Sequence, residues 1–194
     1  MKNLRMKTTG KGYSIILLIA LFACVSCDSN GQKAESESAT TPPKMTIHEA
    51  AFMGDTDAIK GHIKAKTDLN QKDAYGSAPL SIAAVFGKPE VAKLLIEGGA
   101  DINVRSGDGS TPLHSAAFFC RKEIAKMLLT SGADVTIKNN YGSTALESIS
   151  APFADVKVFY DQIGRDLGPL GLKLDYQYIE ATRPAIAEMI NAAD

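Results

Sequence analysis

The chain has 194 residues, 45% of them hydrophobic, and a formal net charge of -1 from 21 basic and 22 acidic side chains. That balance offers no sign of the basic face a nucleic-acid binder needs. Of three cysteines, two lie before residue 28, so no disulfide framework can hold the rest of the chain together, and stability has to come from packing.

The first predicted element is a secretory leader. Lys2, Arg5, Lys7 and Lys11 form a basic start, and Tyr13 to Val25 is an apolar run too short to cross a bilayer comfortably. Leu21-Phe22-Ala23-Cys24 resembles a bacterial lipobox, which implies a signal peptide over residues 1–23 and lipidation at Cys24. Cys27, preceded by the small Ser26, is the alternative, and an ordinary cleaved leader with incidental cysteines is the plainer reading. Residues 24–44 are rich in Ser, Glu, Ala and Thr, end in Thr41-Pro42-Pro43, and read as a disordered tether. Removal of residues 1–23 takes four basic and no acidic residues, leaving a mildly acidic mature chain with 17 basic against 22 acidic.

A period governs residues 45–163. Gly76, Gly109 and Gly142 stand 33 residues apart and open near-copies of one phrase, Gly76-Ser77-Ala78-Pro79-Leu80, Gly109-Ser110-Thr111-Pro112-Leu113 and Gly142-Ser143-Thr144-Ala145-Leu146. Glu97-Gly98-Gly99-Ala100-Asp101-Ile102-Asn103 is likewise echoed by Thr130-Ser131-Gly132-Ala133-Asp134-Val135-Thr136. Such self-similarity marks a supersecondary unit that buries its apolar face only against copies of itself. The units are about 40–72, 73–105, 106–138 and 139–163, each with an Ala-rich and a Leu-rich stretch that reads as a short helix. Thr111-Pro112-Leu113-His114, with Gly99-Ala100-Asp101 and Gly132-Ala133-Asp134, resembles the ankyrin repeat. The resemblance implies an all-α repeat solenoid of four helix-turn-helix units with hairpin loops, binding other proteins through its concave face.

Within the period, Ile47, Leu80, Leu113 and Leu146 form one expected core column, and Ile59, Ala92, Ala125 and Val158 another. Thr46 to Glu49 and Thr144 to Glu147 read as capping boxes, Thr111 as a cap before Pro112, and Ala78 as the weakest helix start. Pro152 interrupts the last unit. Residues 164–194 are expected to form a C-terminal helical cap: a loop-like Gly164 to Gly171, then a helix over Asp175 to Asn191 broken near Arg183-Pro184, with Leu172, Leu174, Ile179, Ile186, Met189 and Ile190 facing the stack.

No catalytic motif is present, so an enzyme is not expected; Asp161, Asp166 and Asp175 are the only candidate acids near the tail. His48 and His114 occupy the same repeat position but lie two units apart, roughly 20 Å, and cannot share an ion; the resemblance implies a structural turn role for His114. His62 reads as a lone surface-helix histidine. No metal or cofactor is expected. Cys120 stands where other units have Gly54 and Gly87, a position favouring positive φ. With Arg121 and Lys122 beside it, it reads either as a thiol of lowered pKa, open to oxidation, or as a small residue tolerated in a turn.

The ends of the first helices read Phe52-Met53, Val85-Phe86 and Phe118-Phe119, an apolar column across three units. In the resemblance these ends and the hairpin tips line the concave face. Tyr75 and Tyr141 align with Asp108 at the tips, and Lys72, Arg105 and Lys138 form a basic column nearby. The expected site is therefore Phe52, Met53, Tyr75, Val85, Phe86, Arg105, Phe118, Phe119 and Tyr141, with Phe86 and Phe119 as central anchors, taking a protein segment that bears apolar anchors and acidic neighbours. The expected function is a lipid-anchored adaptor of the bacterial envelope, facing the periplasm or exterior, monomeric, with an unidentified protein partner. The alternative is an inhibitor or stabilising subunit of an envelope enzyme, with redox stress defence as its setting.

Overall fold

The structure, a computed structural model, describes residues 41–193; the leader, Cys24, Cys27 and most of the tether lie outside the described residues. Eight α-helices, and no strand, occur among the described residues: α1 Ile47–Met53, α2 Thr56–Lys64, α3 Pro79–Phe86, α4 Pro89–Glu97, α5 Pro112–Phe118, α6 Lys122–Thr130, α7 Phe153–Leu167 and α8 Tyr176–Asn191. Short helices this small are marginal alone and persist because one face of each is buried. The first helices of successive units stack as α1, α3 and α5, and the second helices as α2, α4 and α6.

Local chemistry sets each helix start. Thr46 and Glu49 close a reciprocal capping box on α1, and Asp55 caps α2 by accepting from two backbone N–H groups. Ala78 gives α3 no side-chain cap, as its side chain dictates. The three periodic glycines adopt φ of 76°, 77° and 78°, a left-handed turn that any side chain would strain. Ile47, Leu80, Leu113, Ile59, Ala92 and Ala125 are all buried, so both core columns hold through three units.

The fourth unit departs from the period. Thr144 and Glu147 do form the expected capping box, with bonds of 2.7 and 3.2 Å, but the first helix shrinks to a single 3-10 turn over Glu147–Ile149. Leu146 is only partly buried, while Ala145 and Ile149 are buried. Val158, expected in the core column, is 59% exposed. Pro152 causes this: it cannot continue the turn, α7 starts afresh at Phe153, and the new register turns Phe153, Val156 and Tyr160 inward at helical spacing.

The outer row is completed by α8 rather than α7, since α8 packs on α6 and α5. The expected cap is present, with Leu172, Ile179, Ile186 and Ile190 buried, but it also fills the place of the missing second helix. The expected loop from Gly164 is helical to Leu167 and then a 3-10 turn over Gly168–Leu170. Helix α8 also runs unbroken through Pro184. Pro184 and Glu180, whose carbonyl loses its donor, are both exposed, so water satisfies the orphan.

Arg183 locks this end together. It is buried, and its guanidinium donates to the carbonyls of Ile149 (2.9 Å) and Ala151 (2.7 Å) and to the Tyr160 hydroxyl (3.1 Å). Tyr160 in turn donates to the Phe118 carbonyl at 2.6 Å. A buried guanidinium is tolerable only with its donors satisfied, and here carbonyls and a hydroxyl satisfy them.

Candidate functional site

The ends of the first helices do not share one environment. Along the second column Met53 is 63% exposed, Phe86 is partly buried, and Phe119 is 7% exposed. Phe52 and Phe86 meet edge to face at 4.7 Å across the boundary between units 1 and 2. Phe118 contacts Phe119 at 5.2 Å and stacks on Tyr160 at 4.4 Å, and Tyr160 leads through Phe153 (5.6 Å) to Tyr176 (6.1 Å). Tyr160 of α7 thus lies against Phe118, which stays partly buried like Phe52, Val85 and Phe86. Phe119, expected as a central anchor, has too little free surface for that role. Met53 is the most exposed member of the stripe.

The hairpin tips are held rigidly. Asp73 accepts from the N–H groups of Tyr75 (2.9 Å) and Ser77 (2.8 Å), and Asn139 does the same for Tyr141 (3.0 Å) and Ser143 (3.1 Å). These turns point Tyr75 and Tyr141 into solvent at 86% and 79% exposure. Between them Asp108 accepts from the Ser110 N–H (3.0 Å) and hydroxyl (2.9 Å). A Cβ on Gly107 would lie 2.7 Å from the Tyr75 carbonyl oxygen, so neighbouring tips pack backbone to backbone. Asn140 N–H donates to the Asp108 carbonyl at 2.9 Å and links the next pair.

Below the tips runs a ladder that the sequence reading overlooked. Asn70 accepts from the Asp101 N–H at 2.8 Å, and Asn103, 33 residues on, accepts from the Asp134 N–H at 2.9 Å. The third position is Thr136, which bonds Asp134 within its own turn, and the ladder stops there. The basic column stays exposed. Arg105 donates to the Lys138 carbonyl at 2.9 Å and keeps its charge, while Lys138 pairs with Glu147 at 3.6 Å.

The other candidate residues have structural partners. His114 accepts from the Thr111 N–H at Nδ1 (3.2 Å) and donates from Nε2 to the Ser143 carbonyl (3.0 Å), and burial lowers its pKa. His48 donates to the Gln71 carbonyl at 2.9 Å. His62 is buried, contrary to the surface reading, and bonds the Met45 carbonyl (2.8 Å) and the Thr67 hydroxyl (3.1 Å). The period in fact places His62 with Leu95 and Leu128, both fully buried, so its burial follows the repeat and its two bonds satisfy a polar ring at an apolar position. Asp161 is held below the usual carboxylate range by hydrogen bonds from Lys157 and Tyr176, Asp166 accepts from Gln162, and Asp175 caps α8. The three acids serve three separate local bonds.

Cys120 has φ of 53°, the left-handed backbone its alignment with glycine implies. It is buried beneath α8, its thiol donates to the Ile179 carbonyl at 3.4 Å, and burial pushes its pKa up to about 11 despite Arg183 and Arg121 nearby. Arg121 spends its guanidinium on the Val85 carbonyl. The thiol is therefore protonated and shielded, which favours the tolerated-residue reading.

Comparison with known proteins agrees with this geometry. A family model described as ankyrin repeats (3 copies) matches residues 47–139. Among solved structures, the ankyrin repeat domain of Bcl-3, described as a unique member of the IkappaB protein family, is similar with a TM-score of 0.51 and 27% identity. That likeness covers 53% of this chain and 45% of that one, so this chain spans less than half of the structure it matches. No curated protein sequence matches significantly. Over residues 47–139 the stack has the architecture of ankyrin repeats.

Proposed function

We propose that this protein is a lipid-anchored adaptor of the bacterial envelope that docks another protein on the open part of its inner surface. The observation that carries the reading is the unequal exposure along one column, with Met53 63% exposed beside the Phe52–Phe86 pair while the equivalent Phe119 is 7% exposed. A fold that seals one end of an apolar stripe and leaves the other in water has a use for the open end. Rigid tips carrying Tyr75 and Tyr141 extend the same surface, and aromatic side chains of low conformational freedom make effective anchors.

The anchor follows from the lipobox-like Leu21 to Cys24, with Cys27 as the alternative. Several acyl chains, each buried methylene contributing about 0.8 kcal/mol, hold a protein to a membrane stably. Mass spectrometry of the mature N-terminal peptide is expected to find it beginning at an acylated Cys24. An acylated Cys27 would move the site, and an unmodified terminus would remove the anchor. For docking, Met53→Ala combined with Phe86→Ala is expected to reduce partner recovery from envelope extract at least about ten-fold, as for paired interface anchors. Unchanged recovery contradicts the docking surface.

A further inference from the structure

We infer that the hairpin tips read a cationic, extended segment of the partner, with Asp108 as the charge-reading residue and Tyr75 and Tyr141 as its aromatic flanks. The inference rests on the docking reading above and names the chemistry of what is docked. Three observations carry it.

First, neither tyrosine contributes to the fold. Each is at least 79% exposed, and each is presented by a turn built from another residue, Asp73 or Asn139. Unit 3 lacks that arrangement: it has Ser106 at the turn-forming position, and the acidic group stands at the tip itself. Second, the Asp108 carboxylate receives only the Ser110 N–H and hydroxyl, and no lysine or arginine is within ion-pair distance of it among the described residues. Arg105, three residues earlier, reaches to the Lys138 carbonyl instead. Third, of the three basic residues that argued for an acidic partner, Lys138 is already paired with Glu147 and the Arg105 guanidinium is directed to the Lys138 carbonyl rather than to the tip.

A negative charge between two exposed aromatic rings suits an ammonium or guanidinium group, which ring faces attract as well. The register follows from elementary dimensions. Successive tips stand about one helix diameter apart, roughly 10 Å, and a polyproline II segment advances about 3.1 Å per residue with three residues per turn, so every third side chain returns to the same face. One tip therefore meets every third residue, with Lys or Arg at the centre over Asp108 and cationic or apolar groups three residues to either side. Lysine and arginine stems are long enough to lie along a ring while the head reaches the carboxylate.

The test is selection of binding peptides by the full-length chain from a random library, each peptide long enough to cross three tips. Enrichment of Lys or Arg at three-residue spacing is expected. Asp108→Asn, which keeps the Oδ1 acceptor for the Ser110 N–H, is expected to weaken those peptides about ten-fold and flatten their salt dependence, and Tyr75→Ala with Tyr141→Ala to weaken them comparably. All three positions are exposed, so folding is preserved, and thermal melting checks this. Peptides that need Phe86 but carry no basic residue, or are indifferent to Asp108→Asn, overturn the inference and leave the docking surface standing. Absence of any peptide sensitive to either Phe86 or the tips overturns both.

Discussion

Unit 2 carries Ala78 and Ser81 where unit 3 carries Thr111 and His114, and the difference has a measurable cost. Helix α3 has no side-chain cap, and the Ser81 hydroxyl is buried without a hydrogen-bond partner. Ala78→Thr with Ser81→His is expected to raise unfolding free energy by about 1–2 kcal/mol, read from the urea midpoint; an unchanged or lower midpoint contradicts the capping argument. His114 makes a second residue-scale prediction. Its pKa in the folded chain is lowered by burial, so the unfolded state takes up a proton first as pH falls. Its contribution is fully present above about pH 6.5 and is lost as pH drops through the folded value. Melting temperature should therefore fall from pH 7.5 to pH 5, and His114→Ala should flatten that part of the profile while lowering the whole. Much at this scale was legible in the sequence, because the period aligned Thr111, His114 and Cys120 with their counterparts. His62 was misread because its polar ring was weighed ahead of the period, which aligns it with the buried Leu95 and Leu128; its bonds to Met45 and Thr67 make that burial tolerable.

At the scale of elements, the last unit is where reading by period failed. Pro152 signalled the interruption, but nothing in the spacing said that α7 would stand outside the outer row and α8 would complete it. That outcome depends on long-range partners: Arg183 bridging Ile149, Ala151 and Tyr160, and Cys120 meeting Ile179. A buried arginine beside a proline gives no periodic signal. The arrangement predicts that Tyr160→Phe destabilises by about 1–2 kcal/mol, since Phe118 loses its donor and Arg183 an acceptor. Arg183→Met should cost about 1–3 kcal/mol by orphaning the buried Ile149 carbonyl and removing the bond to Ala151. Urea unfolding that leaves both variants at the wild-type midpoint would show that the end of the stack is held by apolar packing alone. The aromatic stripe was half legible: the period gathered Phe52, Phe86, Phe118 and Phe119, while the burial of Phe119 and the stacking of Tyr160 on Phe118 depend on long-range packing that the spacing does not encode.

For the whole molecule, the consequence is a solenoid with one sealed end and one open inner surface. Sealing places Cys120 beneath α8, where its thiol is protonated and shielded, so peptide-resolved labelling by a maleimide should be slow in buffer and rise only as urea opens the stack. Fast labelling of the folded chain would mean that α8 does not stay docked. The open surface is tested most directly by site-specific photocrosslinking in envelope preparations, with the reactive group at exposed Met53 or, as a control, at Lys126 on the outer helix α6. The account predicts a discrete crosslinked protein from position 53, lost when Phe86→Ala is added, and none from position 126. Equal crosslinking from both positions, or crosslinking from the outer helix alone, would contradict it.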